Sequence, residues 1–214
     1  MSSLKKVLGD IGKELRQKER IRETVQKDMR KATSLSKQAI LMIHQKRLKE
    51  TKKLIEKARG IILKLSEASA VYPNIIYTGL FNAALQEYSE ANIILKLIEE
   101  SRFVTPKEIN VPSVDYVLGL ADVIGEYRRM SLDALREGDV EKSEKCLRIM
   151  DEIYTELMAM DEAYMLVPGL RRKCDSVRRI IETTRGDVTQ EMRRSTLEKY
   201  LKRFERRTRK INRL

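Results

Sequence analysis

The stretch "VPSVDYVLGLADVIGEYRRM" (residues 111–130) decides how this chain folds. Pro112 breaks whatever precedes it, Ser113 and Asp115 offer capping chemistry, and apolar residues then recur at helical spacing as far as about Arg136. Two acids interrupt that apolar run. Asp122 and Glu126 stand four residues apart, so they share a helix face and repel by roughly a few tenths of a kcal/mol. The small residues Gly119, Ala121 and Gly125 around them let another backbone or a ligand approach closely.

Outward from this segment, helical periodicity continues in both directions and no strand-like alternation interrupts it. A first helix is predicted from about Leu4 to His44, with Ile21, Val25, Met29, Ala32, Leu35, Ala39, Ile40 and Ile43 on its apolar side. A second spans about Lys46–Val71, with Leu54, Ala58, Ile61, Ile62 and Leu65 as its stripe. The third, about Pro73–Ser101, carries Tyr77, Phe81, Ala84, Tyr88, Ala91, Leu95 and Ile98 at spacings of four and three, a seam suited to helix packing. "RFVTPKEINVPSVDY" is the clearest linker, with Pro106 and Pro112 as breakers. After the fourth helix, "EGD" makes a turn and Asp139 caps a fifth that ends near Met160. "VPG" (167–169) opens a sixth, which Gly186 closes, and Asp187 or Thr189 caps a seventh that runs to the C-terminus. The expectation is an all-α chain, one seven-helix domain over residues 1–214, with 191–214 as a basic terminal helix.

Composition agrees with helices. Charged residues make up 36% of the 214, against 9 Gly and 4 Pro, and with no Trp the core must be mostly aliphatic. The formal charge of +12 is unevenly spread. Residues 1–60 hold 18 Lys/Arg against 7 Asp/Glu, residues 191–214 hold 10 against 3, and the middle is acidic. Basic ends favour a polyanionic partner, although solvated helix faces account for the same charge. Cys146 and Cys174 form neither a redox nor a zinc pattern and read as packing thiols in a reducing compartment. With His44 the only histidine, no His/Cys metal site can be assembled within one chain. The N-terminus lacks the apolar region of a signal peptide and no run is long enough to span a membrane, so the chain reads as soluble and cytoplasmic.

A second acidic pair lies in "ALQEYSEA", where Glu87 and Glu90 are three apart and border the Tyr88/Ala91 seam. With Asp122 and Glu126 this makes four carboxylates, two on each of two helices expected to be neighbours. Carboxylates on facing helices build divalent-metal sites in bundles, and an all-oxygen set favours Mg2+ or Mn2+ over zinc. The competing reading of each pair is an ordinary surface or ion-pair role, such as Glu126 with Arg129. For a nucleic-acid strand the candidate contacts are Lys46, Lys49 and Lys53, near one face of the early second helix, and Lys37 on the first. These too are open to the solvated-face reading. Tyr200 and Phe204 in the tail read as packing residues, and His44 as structural. There is no phosphate-cradling glycine loop and no nucleophile–base pair, so metal-assisted hydrolysis is the catalysis these residues permit.

At this point the residues resemble the translin family, and within it the translin-associated factor X branch. "VPSVDYVLGLADVIGEYRRM" is similar to that branch's Val-Asp-Tyr-Leu run leading into Gly-x-Ala-Asp-x-x-Gly-Glu and Arg-Met. "LQEYSEA" is similar to its Leu-Gln-Glu-Tyr-x-Glu-Ala segment, "SKQAILMIHQ" resembles the family's Ser-Lys-rich end of the first helix, and "LRRKCDSVRRIIETTRGD" resembles its Lys-rich penultimate helix with a closing Arg-Gly. The resemblance covers roughly residues 15–190. It implies an all-α protomer in a closed, octamer-like shell that binds single-stranded RNA or DNA. In the factor X branch it implies a Mg2+-dependent endoribonuclease whose acids fall on Glu87, Glu90, Asp122 and Glu126. Its alternative within the family is a non-catalytic nucleic-acid-binding protein, as translin is. The Lys/Glu/Arg-rich make-up suits a stand-alone homo-oligomer of a prokaryotic, archaeal type. A basic helical scaffold without nucleic acid is the remaining reading from another class.

Overall fold

The structure is a computed structural model that describes residues 3–160 and 163–211. Among these there are nine helices and no strand: α1 Leu4–His44, α2 Leu48–Ser69, α3 Pro73–Ile76, α4 Gly79–Glu100, α5 Pro106–Ile109, α6 Ser113–Arg136, α7 Val140–Ala159, α8 Ala163–Leu166 and α9 Leu170–Ile211. Six are long and three are single turns. None of the described helices is long and apolar enough to cross a membrane. The chain divides into two compact bodies, Met1–Gly119 and Leu120–Leu214, with the boundary inside α6.

In the first body α1, α2 and α4 pack against one another. On α1 the buried residues Val25, Met29, Ala32, Ser36, Ala39 and Ile43 follow a strict alternation of four and three. Ala32, Ser36 and Ala39 keep that seam thin, and Ser36 satisfies its hydroxyl on the Ala32 carbonyl at 3.0 Å. From α2 come Ile55, Ala58, Ile62 and Leu65, and from α4 Phe81, Ala84, Tyr88, Ala91 and Leu95, all buried. Fully burying one such large aliphatic or aromatic side chain contributes about 1.5–3 kcal/mol. The expected third helix is two. Tyr77 leaves helical geometry, and Thr78 is extended (φ −130°, ψ 163°), so α4 starts afresh at Gly79. Three successive weak helix formers, Tyr, Thr and Gly, explain the break. Tyr77 is consequently exposed rather than part of the seam.

The linker is ordered by local chemistry. Pro106 starts α5 rather than only breaking a helix, and Thr105 and Glu108 form a reciprocal capping box around it. Arg102 grips Glu108 with two nitrogens and also reaches Glu100. The Tyr116 hydroxyl donates to the Val104 carbonyl at 2.5 Å and so ties the linker to the start of α6.

In the second body Asp139 caps α7 by accepting from the Lys142 N–H at 2.9 Å, after a turn at Gly138 (φ 77°). Ser131 of α6 and Ser143 of α7 are buried and share a 2.6 Å hydroxyl contact. On α9 Leu170, Cys174, Val177, Ile181, Thr184 and Val188 are buried, again at four and three. Cys146 and Cys174 are free and buried, and burial pushes the Cys146 thiol up to about 11. The expected stop at Gly186 does not occur, because α9 continues through it. Gly186 lies between the buried Thr184 and Val188, and their packing outweighs the roughly 1 kcal/mol a mid-helix glycine costs. Asp187 does not cap a new helix either. It accepts from Arg128 at 3.3 Å, whose other terminal nitrogen donates to Thr184 at 2.6 Å. The terminal basic segment is thus the second half of α9 as far as Ile211, and residues 212–214 lie outside the described residues.

The contact between α4 and the first turns of α6, inside the first body, is unusually close. A Cβ built on Gly119 would stand 2.6 Å from the Gln86 carbonyl oxygen, 2.9 Å from the Ser89 Cβ and 3.3 Å from the Glu90 nitrogen. One turn earlier Asp115, only 4% exposed, accepts from Gln86 Nε2 at 3.3 Å. Burial raises its carboxyl above the ordinary range, against hydrogen bonds from Gln86 and Asn82 that lower it.

Two outcomes are expected. Gly119→Ala should lower stability by about 1–3 kcal/mol in urea unfolding, because the obstructing atom is backbone. Gly125→Ala on the same helix, where a Cβ meets nothing within 4 Å, should be neutral or stabilising. An equal response of the two glycines would refute the close-approach account. Asp115→Asn should stabilise the protein at pH 7, since it removes a buried charge. The folded-state carboxyl titrates above its unfolded value, so wild type gains stability as pH falls through that raised range. The mutant's advantage should therefore shrink towards zero below the ordinary aspartate range, as urea unfolding across a pH series would reveal.

Candidate metal and nucleic-acid site

Each body carries one acidic pair. On α4 Glu87 and Glu90 sit three residues apart, Glu87 partly exposed and Glu90 only 7% exposed. A carboxylate that deeply buried persists only with compensation by hydrogen bonds or cations. On α6 Asp115, Gly119, Asp122 and Glu126 follow one another at spacings of four, three and four, so they form a single helical stripe. The first two belong to the first body and contact α4 there. Asp122 and Glu126, both half-buried, belong to the second.

Glu87 and Asp122 have lysine counter-ions from their own body. Lys37 of α1 places its Nζ 3.1 Å from Glu87 Oε1. Lys173, in the first turn of α9, donates to both carboxylate oxygens of Asp122 at 2.5 Å. A primary ammonium carries three donors, and with both Asp122 oxygens on one side of the nitrogen at least one of them points away. Among the described residues no three His, Cys, Asp or Glu side chains form a group that could hold a metal ion. The donor chemistry nevertheless fits a hard cation: each pair offers carboxylate oxygens only, the ligands Mg2+ takes, without a competing imidazole or thiolate.

The lysines expected to hold nucleic acid divide. Lys49 and Lys53 lie one turn apart on the exposed side of α2. Lys46 is not on that helix. Its backbone is left-handed (φ 60°), and its N–H closes the end of α1 on the Ile43 carbonyl, so α2 begins only at Leu48. The face shared by three lysines is therefore shared by two. Lys37 is engaged with Glu87, and the neighbouring Lys52 with Glu99 at 2.8 Å.

Sequence reasoning did not find Lys173, Arg172 or the buried Asp115. Lys173 lies 51 positions from Asp122 and no helical periodicity links them. Asp115 gave a signal, since it stands four residues before Gly119, but it reads first as a capping residue. Asp122, Gly125, Arg172, Lys173 and Ser176 line a cavity of about 250 Å³ between α6 and α9.

Comparison with known proteins follows the same lines. A sequence model described as the Translin family matches residues 20–184. An uncharacterized protein of Methanocaldococcus jannaschii is 31% identical over 192 residues, 89% of this chain and 85% of that one. The crystal structure of AfC3PO is similar with a TM-score of 0.76 and 33% identity, covering 86% of this chain and 96% of that one. AfC3PO in complex with duplex RNA gives 0.76 and 32% over the same shares. Apo-NeC3PO gives 0.77 and 25%, covering 89% of this chain and all of that one. Its helical architecture, the family pattern across most of its length and a relative sharing nearly a third of its residues together establish that this chain belongs to the translin family.

Proposed function

We propose that the protein is a Mg2+-dependent endoribonuclease of the translin-associated factor X type, a cytoplasmic homo-oligomer that cleaves single-stranded RNA inside a closed, octamer-like shell. The observation that carries this reading is the pair of acidic motifs, Glu87/Glu90 in "LQEYSEA" and Asp122/Glu126 in "GLADVIGEY", on helices whose backbones meet at Gly119 and Glu90 in the first body. RNA as the ligand is supported by the similarity to AfC3PO, which has been solved with duplex RNA.

Each acidic pair, Glu87 with Glu90 and Asp122 with Glu126, would supply carboxylate oxygens to Mg2+, or to Mn2+ in its place. When bound, the ion supplies Lewis-acid polarisation of a phosphoryl oxygen and eases deprotonation of water. Glu126 takes the proton of the attacking water, and the basic residues hold the strand by its phosphates, with Lys37, Lys49 and Lys53 contributing from α1 and α2 and Lys46 from the turn between them. Lys37 and Lys173 neutralise Glu87 and Asp122 before the cation arrives, which limits like-charge repulsion within the acidic pairs.

Those lysine contacts also favour a second reading, in which the acids are structural ion-pair partners and the protein binds single-stranded RNA or DNA without cleaving it. Labelled single-stranded RNA, with duplex RNA in parallel, incubated with Mg2+ or with chelator separates the two. Asp122→Asn and Glu126→Gln are expected to abolish Mg2+-dependent cleavage while RNA binding and oligomer size persist. Full activity in either variant would sink the site assignment, and no cleavage by wild type would leave the binding-only reading.

A further inference from the structure

The cavity between α6 and α9 has a charge balance that the acidic-site reading alone does not require. Arg172 and Lys173 bring two cations to one turn of α9, and Asp122 is the one carboxylate among the lining residues. One positive charge is left over. The Arg172 side chain is exposed and has no carboxylate partner among the described residues. Lys173 faces both Asp122 oxygens from one side of its nitrogen, so at least one of its three N–H donors points away from that carboxylate. Ser176, one turn after Arg172, adds a hydroxyl at the rim, its hydrogen now given to the Arg172 carbonyl at 3.0 Å. The opposite wall is open because Gly125 carries no side chain: a Cβ there would meet nothing within 4 Å. Val177 and Ile180 give the cavity an apolar floor.

We propose that this cavity is a phosphate-binding subsite, in which Arg172 and the remaining N–H of Lys173 hold a phosphodiester of the RNA backbone directly beside Asp122. The proposal rests on the RNA reading above and adds to it residues outside the acidic motifs. A guanidinium presents a fork that matches two phosphate oxygens, while an ammonium acts as a point charge that one oxygen can approach. Lys173 then bridges carboxylate and phosphate, and so sets the distance between the strand and the candidate metal ligand. Gly125 is the space the phosphate needs. The subsite lies wholly within the second body.

The test measures binding of a labelled single-stranded oligoribonucleotide in chelator, where cleavage plays no part, over a range of salt concentrations. Arg172→Gln removes the fork from an exposed position, and Gly125→Leu fills the cavity without altering charge. Both should bind several-fold more weakly than wild type. Both should also lower the slope of log affinity against log salt by about 0.7, the loss of one phosphate contact on a single strand. Circular dichroism should stay unchanged. Wild-type affinity and slope in Gly125→Leu would overturn the subsite, because Arg172 would then act only as a general surface charge. Failure of the wild-type protein itself to bind RNA at low salt would defeat the RNA reading, a result distinguishable from failure of the subsite.

Discussion

The backbone contact at Gly119 is the constraint on which the rest of the first body's acidic region depends. With the Gln86 carbonyl 2.6 Å from where a Cβ would be, α4 and α6 meet at a distance that only glycine permits at that position. Such an approach fixes the register of the two helices to within a fraction of a turn, because sliding either helix would bring a side chain into the gap. Gln86, Ser89 and Glu90 on α4 and Asp115 and Gly119 on α6 are thereby placed as a set. Asp115 shows what that placement costs. Its carboxylate is drawn out of water and compensated only by neutral amide donors, so it carries a raised proton affinity.

Lysine compensation recurs in both bodies. Lys37 answers Glu87 from α1, and Lys173 answers Asp122 from α9. In each case the lysine arrives from a helix other than the acid's own, so the ion pair also fastens two helices. Arg128 does the same between α6 and α9 through Thr184 and Asp187. Asp122 and Lys173 are each substantially hydrated, so their attraction is screened and its contribution to stability is modest. What such a pair specifies is geometry.

Much of this was legible in the sequence, and the reasons are specific. The limits of α1 followed from periodicity, and the end of α6 from periodicity together with the turn at Glu137-Gly138, where pattern and turn chemistry agree. The acidic pairs were visible because charges inside an apolar stripe are locally expensive. Three features were misread where a local signal competed with packing. Gly186 looked like a stop, but the stripe from Leu170 to Val188 passes through it in register. Tyr77 fitted the spacing of the α4 seam, but weak helix formers beside it start a new helix and leave it in solvent. Lys46 looked helical, yet its residue closes α1 in a left-handed turn. Lys173 was beyond reach for a different reason: a pairing across 51 residues depends on how α6 and α9 meet, and one sequence carries no record of that.

The long α9 joins two segments of unequal character. As far as Val188 it is held by a buried stripe, and beyond it none of the described residues is buried, with Leu197, Tyr200, Leu201 and Phe204 more than half exposed. An isolated helix in water must form its own nucleus, and that first turn costs more than its single hydrogen bond returns. Here the first turn already exists, and each residue after Val188 only extends a ladder begun in the packed half. The helicity of the basic tail is therefore inherited by propagation. Whatever loosens the Arg128–Thr184–Asp187 junction would shorten the rod that grows from it.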